Sequence, residues 1–231
     1  MKLPSRYLRN VRRLAKPTVL RGFTMEIAGL AYLWSRPRLW RELQNASKVS
    51  PSTGCNYAEL TTLHRAILRK KPEHVLELGS GISTIVIADA ALKVRSYLQM
   101  CSVTSMEESS EYAEATQAVI PARLRNVVTV IVSPKKKMDY GQGWIGIEYS
   151  EKPQLDWDFI FIDGPQLEDN SAQSKQFDSD LLSITHSARK GFVAYLDGRA
   201  STIARLSLQP NLIVTRGKFL TKFEHTGLRE P

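Results

Sequence analysis

From about residue 50 onward the chain alternates short apolar runs with longer segments of helical period, and this alternation narrows the possible folds more than any other feature. Strand-like runs fall at 75–78, 101–106, 127–132, 159–162, 192–196 and 212–215. Helical patterns fall at 57–69, 83–93, 112–119, 177–187 and 202–208; the first of them places Leu60, Leu63, His64 and Ile67 on one face. The strand runs are apolar throughout rather than alternating, as in strands covered on both sides. Residues 127–132, a continuous β-branched run, are expected to be a buried strand. The expected class is therefore α/β, a mostly parallel sheet with helices on both faces.

The most informative stretch is VLELGSGIST at residues 75–84. It reads as a strand, then Gly79-Ser80-Gly81, then the start of a helix. Glycines here let the backbone turn tightly and approach a ligand. A strand before and a helix after is the setting that a nucleotide-type fingerprint needs. Thr84 stands where a third glycine would be, and no GxxxxGK[ST] run follows, so this is not a phosphate-binding P-loop. Glu77 lies inside the strand, where its charge repels a pyrophosphate and favours a cationic ligand. Glu77 and Thr84 together speak against an NAD-dependent enzyme.

This combination resembles motif I of the S-adenosylmethionine-dependent methyltransferases with a Rossmann-like, doubly wound fold, and the likeness covers about residues 50–220. The resemblance implies S-adenosylmethionine as cofactor. It assigns Glu77 to the ligand's amino-acid end, passes Gly79, Ser80 and Gly81 beneath it, and adds Ser83 and Ser133 to the cofactor side. VTSMEE at 103–108 ends the second strand in acids. Glu107, 26 residues after Gly81, is suited to accept hydrogen bonds from both ribose hydroxyls, with Glu108 as its competitor. WDFIFIDGP at 157–165 looks like the fourth strand, with Asp163 at the cleft.

A narrower resemblance is to the catechol and caffeoyl-CoA O-methyltransferases. Val49-Ser50-Pro51 before the 57–69 helix, FIFID ending in Asp163, and AYLD ending in Asp197 carry it. In that family the two acids and an Asn bind a divalent metal; the Asn position here is Gly198. Asp163 and Asp197 are thus candidate ligands for Mg²⁺, with water completing the shell, and such a metal would acidify and orient an acceptor hydroxyl. Without metal, Asp163, Asp197 or His186 is the candidate general base; His186 also reads as a helix-end residue facing the dipole. Arg199 is placed to bind an acidic acceptor group or to pair with Asp163. Residues 133–153, with Lys135, Lys136, Lys137, Tyr140, Trp144 and Tyr149, read either as an acceptor loop with Trp144 and Tyr149 as stacking platforms or as a surface hairpin.

Charge bounds the partners. Net charge is +9, yet residues 1–50 hold 11 lysines and arginines against two glutamates, so residues 51–231 are neutral. A basic cleft, the mark of a nucleic-acid enzyme, is therefore not expected. The expected reaction is O-methylation of a small molecule or glycan. RNA or protein methylation is the alternative, resting on Lys135–Lys137 and the basic N-terminus. A catalytically silent, membrane-associated interaction protein on the same fold is the alternative from another class. Cys55 and Cys101 form no disulfide framework and no zinc motif, which points to a reducing, cytoplasmic setting.

Two units are expected: a basic helical extension at 1–49 and the cofactor-binding domain at 50–231. Residues 2–16 place Leu3, Tyr7, Val11 and Leu14 at helical spacing, with Pro17 ending the helix. The apolar stretch 22–34 contains Glu26 and falls short of the about 20 residues that span a bilayer, and no cleavage site follows it. The extension reads first as a cap packed on the domain. It reads second as an interfacial segment, residues 1–41, held on anionic lipid by Arg, Lys, Phe23, Trp34 and Trp40, and third as a mitochondrial transit peptide. Its texture also resembles methyltransferases associated with bacterial surface-polysaccharide synthesis. Oligomeric state has no signature in the sequence.

Overall fold

The structure, a computed structural model, describes residues 17–48, 55–98, 100–167, 175–188 and 191–226. The expected helix over 2–16 and the Val49-Ser50-Pro51 element lie outside the described residues.

Two proline-started helices open the described chain: α1 (Pro17–Trp34) and α2 (Pro37–Ala46). Pro17, expected to end a helix, begins one; proline suits the first helical turn, where no N–H is needed. Then follow α3 (Tyr57–Lys70), β1 (His74–Leu78), α4 (Ile82–Leu98), β2 (Ser102–Glu107), α5 (Ser110–Val119) and β3 (Val128–Val132). A capping box starts α3: Asn56 accepts the Glu59 N–H, and Glu59 accepts the Asn56 N–H. The second half comprises β4 (Lys135–Asp139), β5 (Trp144–Tyr149), β6 (Phe159–Ile162), β7 (Lys175–Asp178), α6 (Asp180–Ser187), β8 (Phe192–Leu196), α7 (Ala200–Leu206), β9 (Leu212–Arg216) and β10 (Thr221–His225).

Seven strands form the main sheet in the order β3-β2-β1-β6-β8-β10-β9. The first five run parallel, and β10 is antiparallel to both β8 and β9. This is the Rossmann-like α/β fold that the strand–helix alternation predicts. The strand order reverses between β1 and β6, and in such sheets the crevice beyond the carboxyl ends at that point takes the ligand.

Two readings need correction, and one open choice is settled. Residues 177–187 are not one helix: β7 ends at Asp178 and α6 follows. Phe177, fully buried between the rings of Tyr140 and Trp144, belongs to a short strand whose period is indistinguishable from a helix start. Residues 133–153 form the β4–β5 hairpin, turned by Gly141, Gln142 and Gly143, all at positive φ; β7 joins it in a second, three-stranded sheet. Finally, β3 is an edge strand, with Val132 about half exposed, rather than a buried one. The strand β10, with Phe223 inward and Lys222 and Glu224 half-exposed, escapes the sequence reading because its apolar content is low.

The N-terminal helices pack on the domain. Gly29 of α1 lies so close to α3 that a Cβ there would stand 2.6 Å from the Tyr57 backbone. Thr61 Oγ1 donates to the Gly29 carbonyl at 3.1 Å, and Leu33 is fully buried. A buried polar relay ties the layer down: Tyr32 to His64 Nδ1 at 2.8 Å, His64 Nε2 to Asp89 at 3.0 Å, and Arg123 to both Asp89 and Glu42. Burial lowers the His64 pKa, keeping the ring neutral. Burial opposes ionisation of Asp89, but His64, Lys93 and Arg123 hold it well below the usual carboxylate range.

Candidate functional site

The carboxyl ends of β1 and β6 meet at two glycines. Gly79 has φ +95°, and a Cβ there would stand 2.6 Å from the Gly164 nitrogen. A Cβ on Gly164 would meet the Gly79 Cα at the same distance. Asp163 and Gly164 both donate their N–H to the Leu78 carbonyl, at 2.8 and 2.6 Å, so the two chain segments lie back to back. Above them is a cavity of about 530 Å³ lined by Gly79, Ser80, Glu107, Tyr112, Asp163 and Gly164, among others.

Glu107 is buried in the wall. Its Oε2 accepts the Ser80 N–H at 3.1 Å and the Ser80 hydroxyl at 2.8 Å; its Oε1 accepts the Glu108 and Ser109 N–H groups. The carboxylate is thus fixed by the β1 turn and by its own strand end. Glu108 is engaged elsewhere, accepting the Gln166 N–H at 3.1 Å with Lys135 nearby at 3.6 Å.

Glu77 sits differently from the sequence expectation. It is fully buried beneath the glycine turn and does not line the cavity. Ser83 donates to one oxygen at 2.6 Å; Thr84 and Ser105 donate to the other at 2.6 and 2.7 Å. Burial pushes its pKa up to about 7 against those three hydrogen bonds. Thr84 also accepts the Gly81 N–H at 3.0 Å, so the absent third glycine is replaced by a hydroxyl that braces the turn. Ser83 is therefore a support for Glu77, and Gly81 lies below the cavity wall. Ser133 is buried away from the cavity, its hydroxyl accepting the Glu151 N–H and its own N–H donating to the Glu107 carbonyl.

Asp163 and Asp197 follow the carboxyl ends of the adjacent parallel strands β6 and β8, near enough for the charge of Asp197 to act on Asp163. Burial, and then the Asp197 charge, push Asp163 up to about 7, although Arg199 pulls the other way. Burial raises Asp197 as well, again against Arg199. Arg199 is the keystone: its Nε lies 3.1 Å from Asp197, and its other nitrogens donate to the Asp163 and Pro165 carbonyls.

The pair does not fit a divalent metal. Position 198 is a glycine with no side chain to offer, the guanidinium already neutralises Asp197, and among the described residues no three acids, histidines or cysteines are grouped to hold an ion. His186 is exposed in the last turn of α6, which leads back to the start of β8; Asp163 and Asp197 follow the opposite ends of β6 and β8. It cannot reach them. Tyr149 is no stacking platform either: it is fully buried, with its hydroxyl under Gly164. Trp144 packs on Phe177.

A second cavity, about 320 Å³, lies on the other side of Asp163. It is lined by Glu26 and Leu43 of the N-terminal layer, by Cys55, Asn56 and Tyr57 at the start of α3, and by Ile82, among others. Cys55 Sγ stands 3.8 Å from Asp163 Oδ2, so this contact separates the two spaces. Burial, then the neighbouring Asp163 charge, raises the Cys55 pKa well above its ordinary value, so it stays a thiol. Sequence reasoning missed this wall, because its parts come from α1, α2 and α3. Tyr112 in the wall of the first cavity was also missed; its aromatic ring in the first turn of the helix after β2 was the available signal.

No protein-family model matches the chain, and no curated protein matches it. Solved structures do. A Podospora anserina methyltransferase bound to SAH superposes with TM-score 0.58 at 12% identity, over 81% of this chain and 87% of its own. An O-methyltransferase from Bacillus cereus in complex with SAH gives 0.52 at 15%, over 81% and 90%. The O-methyltransferase TomG from Streptomyces achromogenes, in complex with SAM, gives 0.52 at 13%, over 80% and 89%. At these identities the likeness establishes a shared fold.

Proposed function

We propose that the protein is an S-adenosylmethionine-dependent methyltransferase acting on a hydroxyl of a small molecule or glycan. The observation that carries this reading is the glycine floor at the β1/β6 switch point with Glu107 fixed in the wall above it. Three structural neighbours with this fold have SAM or SAH bound, which supports the same ligand class here.

When bound, the cofactor supplies an activated methyl group together with its leaving group. The chain's part is to bind, orient and handle a proton. Glu107 offers its carboxylate to a vicinal diol, whose hydroxyls exchange with that of Ser80. Gly79 and Gly164 let the ligand lie against bare backbone. Glu77 is a positioning residue, acting through Ser83 and Thr84 on the turn. The acceptor occupies the second cavity and presents its hydroxyl at the boundary. There Asp163, its pKa pushed up to about 7 by burial and by the Asp197 charge, takes the proton. Arg199 holds the Asp163–Asp197 pair in place, the part the resemblance gave to Mg²⁺.

An RNA acceptor is disfavoured by the site itself. Among the described residues, Glu107, Glu108 and Asp163 line it against a single cation, Arg199, which is held by Asp197, whereas phosphates need cations. Lys135 and Lys136 are paired with Glu108 and Glu148.

Calorimetric titration tests the reading. SAM and SAH are expected to bind, Glu107→Gln to weaken both roughly 10- to 100-fold through loss of charged hydrogen bonds, and Mg²⁺ or EDTA to change nothing. Absence of binding to folded protein overturns the cofactor assignment. Binding without turnover over a broad acceptor screen would favour the silent interaction protein.

A further inference from the structure

We propose that α1 seats the protein on an anionic lipid surface. This rests on the N-terminal layer alone and is independent of the methyltransferase reading. Leu20, Phe23, Ile27, Leu30 and Trp34 are all 37–71% exposed. They recur at intervals of three and four, forming one continuous stripe. At about 100° per residue the stripe lies roughly 120° round the helix from Gly22, Gly29 and Leu33, which face the protein. The helix therefore has two apolar faces, and the one bearing the larger side chains is uncovered. Isolated exposed leucines are ordinary, but five large apolar residues in register mark a docking face.

Charge identifies the occupant. Arg38 and Arg41 of α2 are exposed, Arg41 beside Trp34 at the end of the stripe, and Arg21 is exposed on the remaining face of α1. The acids of the layer turn inward: Glu26 accepts the Tyr57 N–H, and Glu42 is bound by Arg123 and Arg38. Residues 1–16, directly ahead of α1, carry six further lysines and arginines and no acid. A second copy docked on this stripe, parallel or antiparallel, would set cations against cations. An anionic bilayer meets the same surface with complementary charge. The stripe also runs into a groove of about 300 Å³ lined by Trp34, Pro37, Trp40, Arg41 and Gln44. Indole rings beside a guanidinium suit the headgroup level of a membrane, where tryptophan concentrates. The helix would lie on the surface: among the described residues none is long and apolar enough to cross a bilayer. Glu26, Leu43 and Gln44 of this layer also line the second cavity, so seating would bring that cavity to the lipid surface.

The test is co-sedimentation of the full chain with phosphatidylcholine vesicles, with and without phosphatidylglycerol. Pelleting is expected only with the anionic vesicles, and less at high salt. Phe23→Ser with Ile27→Ser should weaken it roughly a hundredfold, with a melting temperature close to wild type because both side chains are largely exposed, and Arg38→Glu with Arg41→Glu at least about tenfold, with a somewhat lower melting temperature because Arg38 pairs with Glu42. Failure to pellet with anionic vesicles overturns the proposal. So does pelleting unaffected by either pair of substitutions, which would leave the attraction to residues 1–16. A dimer that the Phe23/Ile27 variant dissociates, without vesicle binding, would assign the stripe to a second copy.

Discussion

Gly79→Ala is expected to lower stability by about 2–6 kcal/mol and to abolish cofactor binding. The reason is geometric twice over. At φ +95° an L-residue is strained, at about 1–3 kcal/mol. The new Cβ would also stand 2.6 Å from the Gly164 nitrogen and 2.8 Å from the Asp163 carbonyl carbon. Both are backbone atoms of a segment whose Asp163 and Gly164 N–H groups are bonded to the Leu78 carbonyl, so they cannot yield as a flexible side chain would. Overpacking of this kind costs about 1–3 kcal/mol more. Against the 5–15 kcal/mol of a typical domain, roughly, the sum is large. Gly198→Ala is the matched control: a Cβ there meets nothing within 4 Å, and a change within about 0.5 kcal/mol is expected. Urea unfolding of the two variants beside wild type decides the matter. Equal stability of Gly79→Ala and wild type would mean that β1 and β6 do not meet as described.

That contact also shows what could be read from the chain. The run VLELGSG announced a strand, a turn and a helix, because a glycine pair between apolar and helical patterns has few other uses. FIFIDGP announced a second strand ending at the same crevice. What remained hidden is that Gly79 and Gly164 need each other, since local pattern carries no information about which strand ends touch. Glu77 was legible as unusual but not in its role. Only the fold brings the hydroxyls of Ser83, Thr84 and Ser105 onto it, and Ser105 comes from another strand. His186 illustrates the converse: a titratable residue between two promising strands, delivered to the wrong end of the sheet by the direction of α6. Arg199 was legible as a partner for an acid at the crevice, but the sequence could not show that its ion pair is with Asp197 and that it reaches only the backbone carbonyl of Asp163.

The buried carboxyl beneath the turn should also make stability depend on pH, and in a direction opposite to that of a salt-bridged acid. Glu77 titrates near 7 in the folded protein, against an ordinary value of 4.5. Between those values the folded state binds the proton and the unfolded chain does not, so unfolding releases protons there and stability falls as pH rises. Below about 4.5 the penalty is absent; above 7 it is complete, at about 3 kcal/mol. Asp163 and Asp180, both also raised to about 7 by burial, act in the same sense. His64 acts in the opposite one: burial lowers its pKa, so protonating it destabilises the fold as pH falls below 6.5. Comparison of wild type with Glu77→Gln cancels these shared contributions. The amide oxygen can still accept from Thr84 and Ser105 while its NH2 faces Ser83, whose hydroxyl turns to accept, and the group carries no charge, as in the protonated acid. Near pH 4.5 the two proteins should unfold at similar urea concentrations, and by pH 8 the variant should be the more stable by about 3 kcal/mol. Curves that stay parallel across that range would mean that Glu77 is ionised at little cost in the folded protein. The same variant separates bracing from ligand contact. If Glu77 acts only through Ser83 and Thr84, Glu77→Gln keeps its affinity for SAM while Glu107→Gln loses it; a matching loss in both would place the Glu77 charge in direct reach of the ligand.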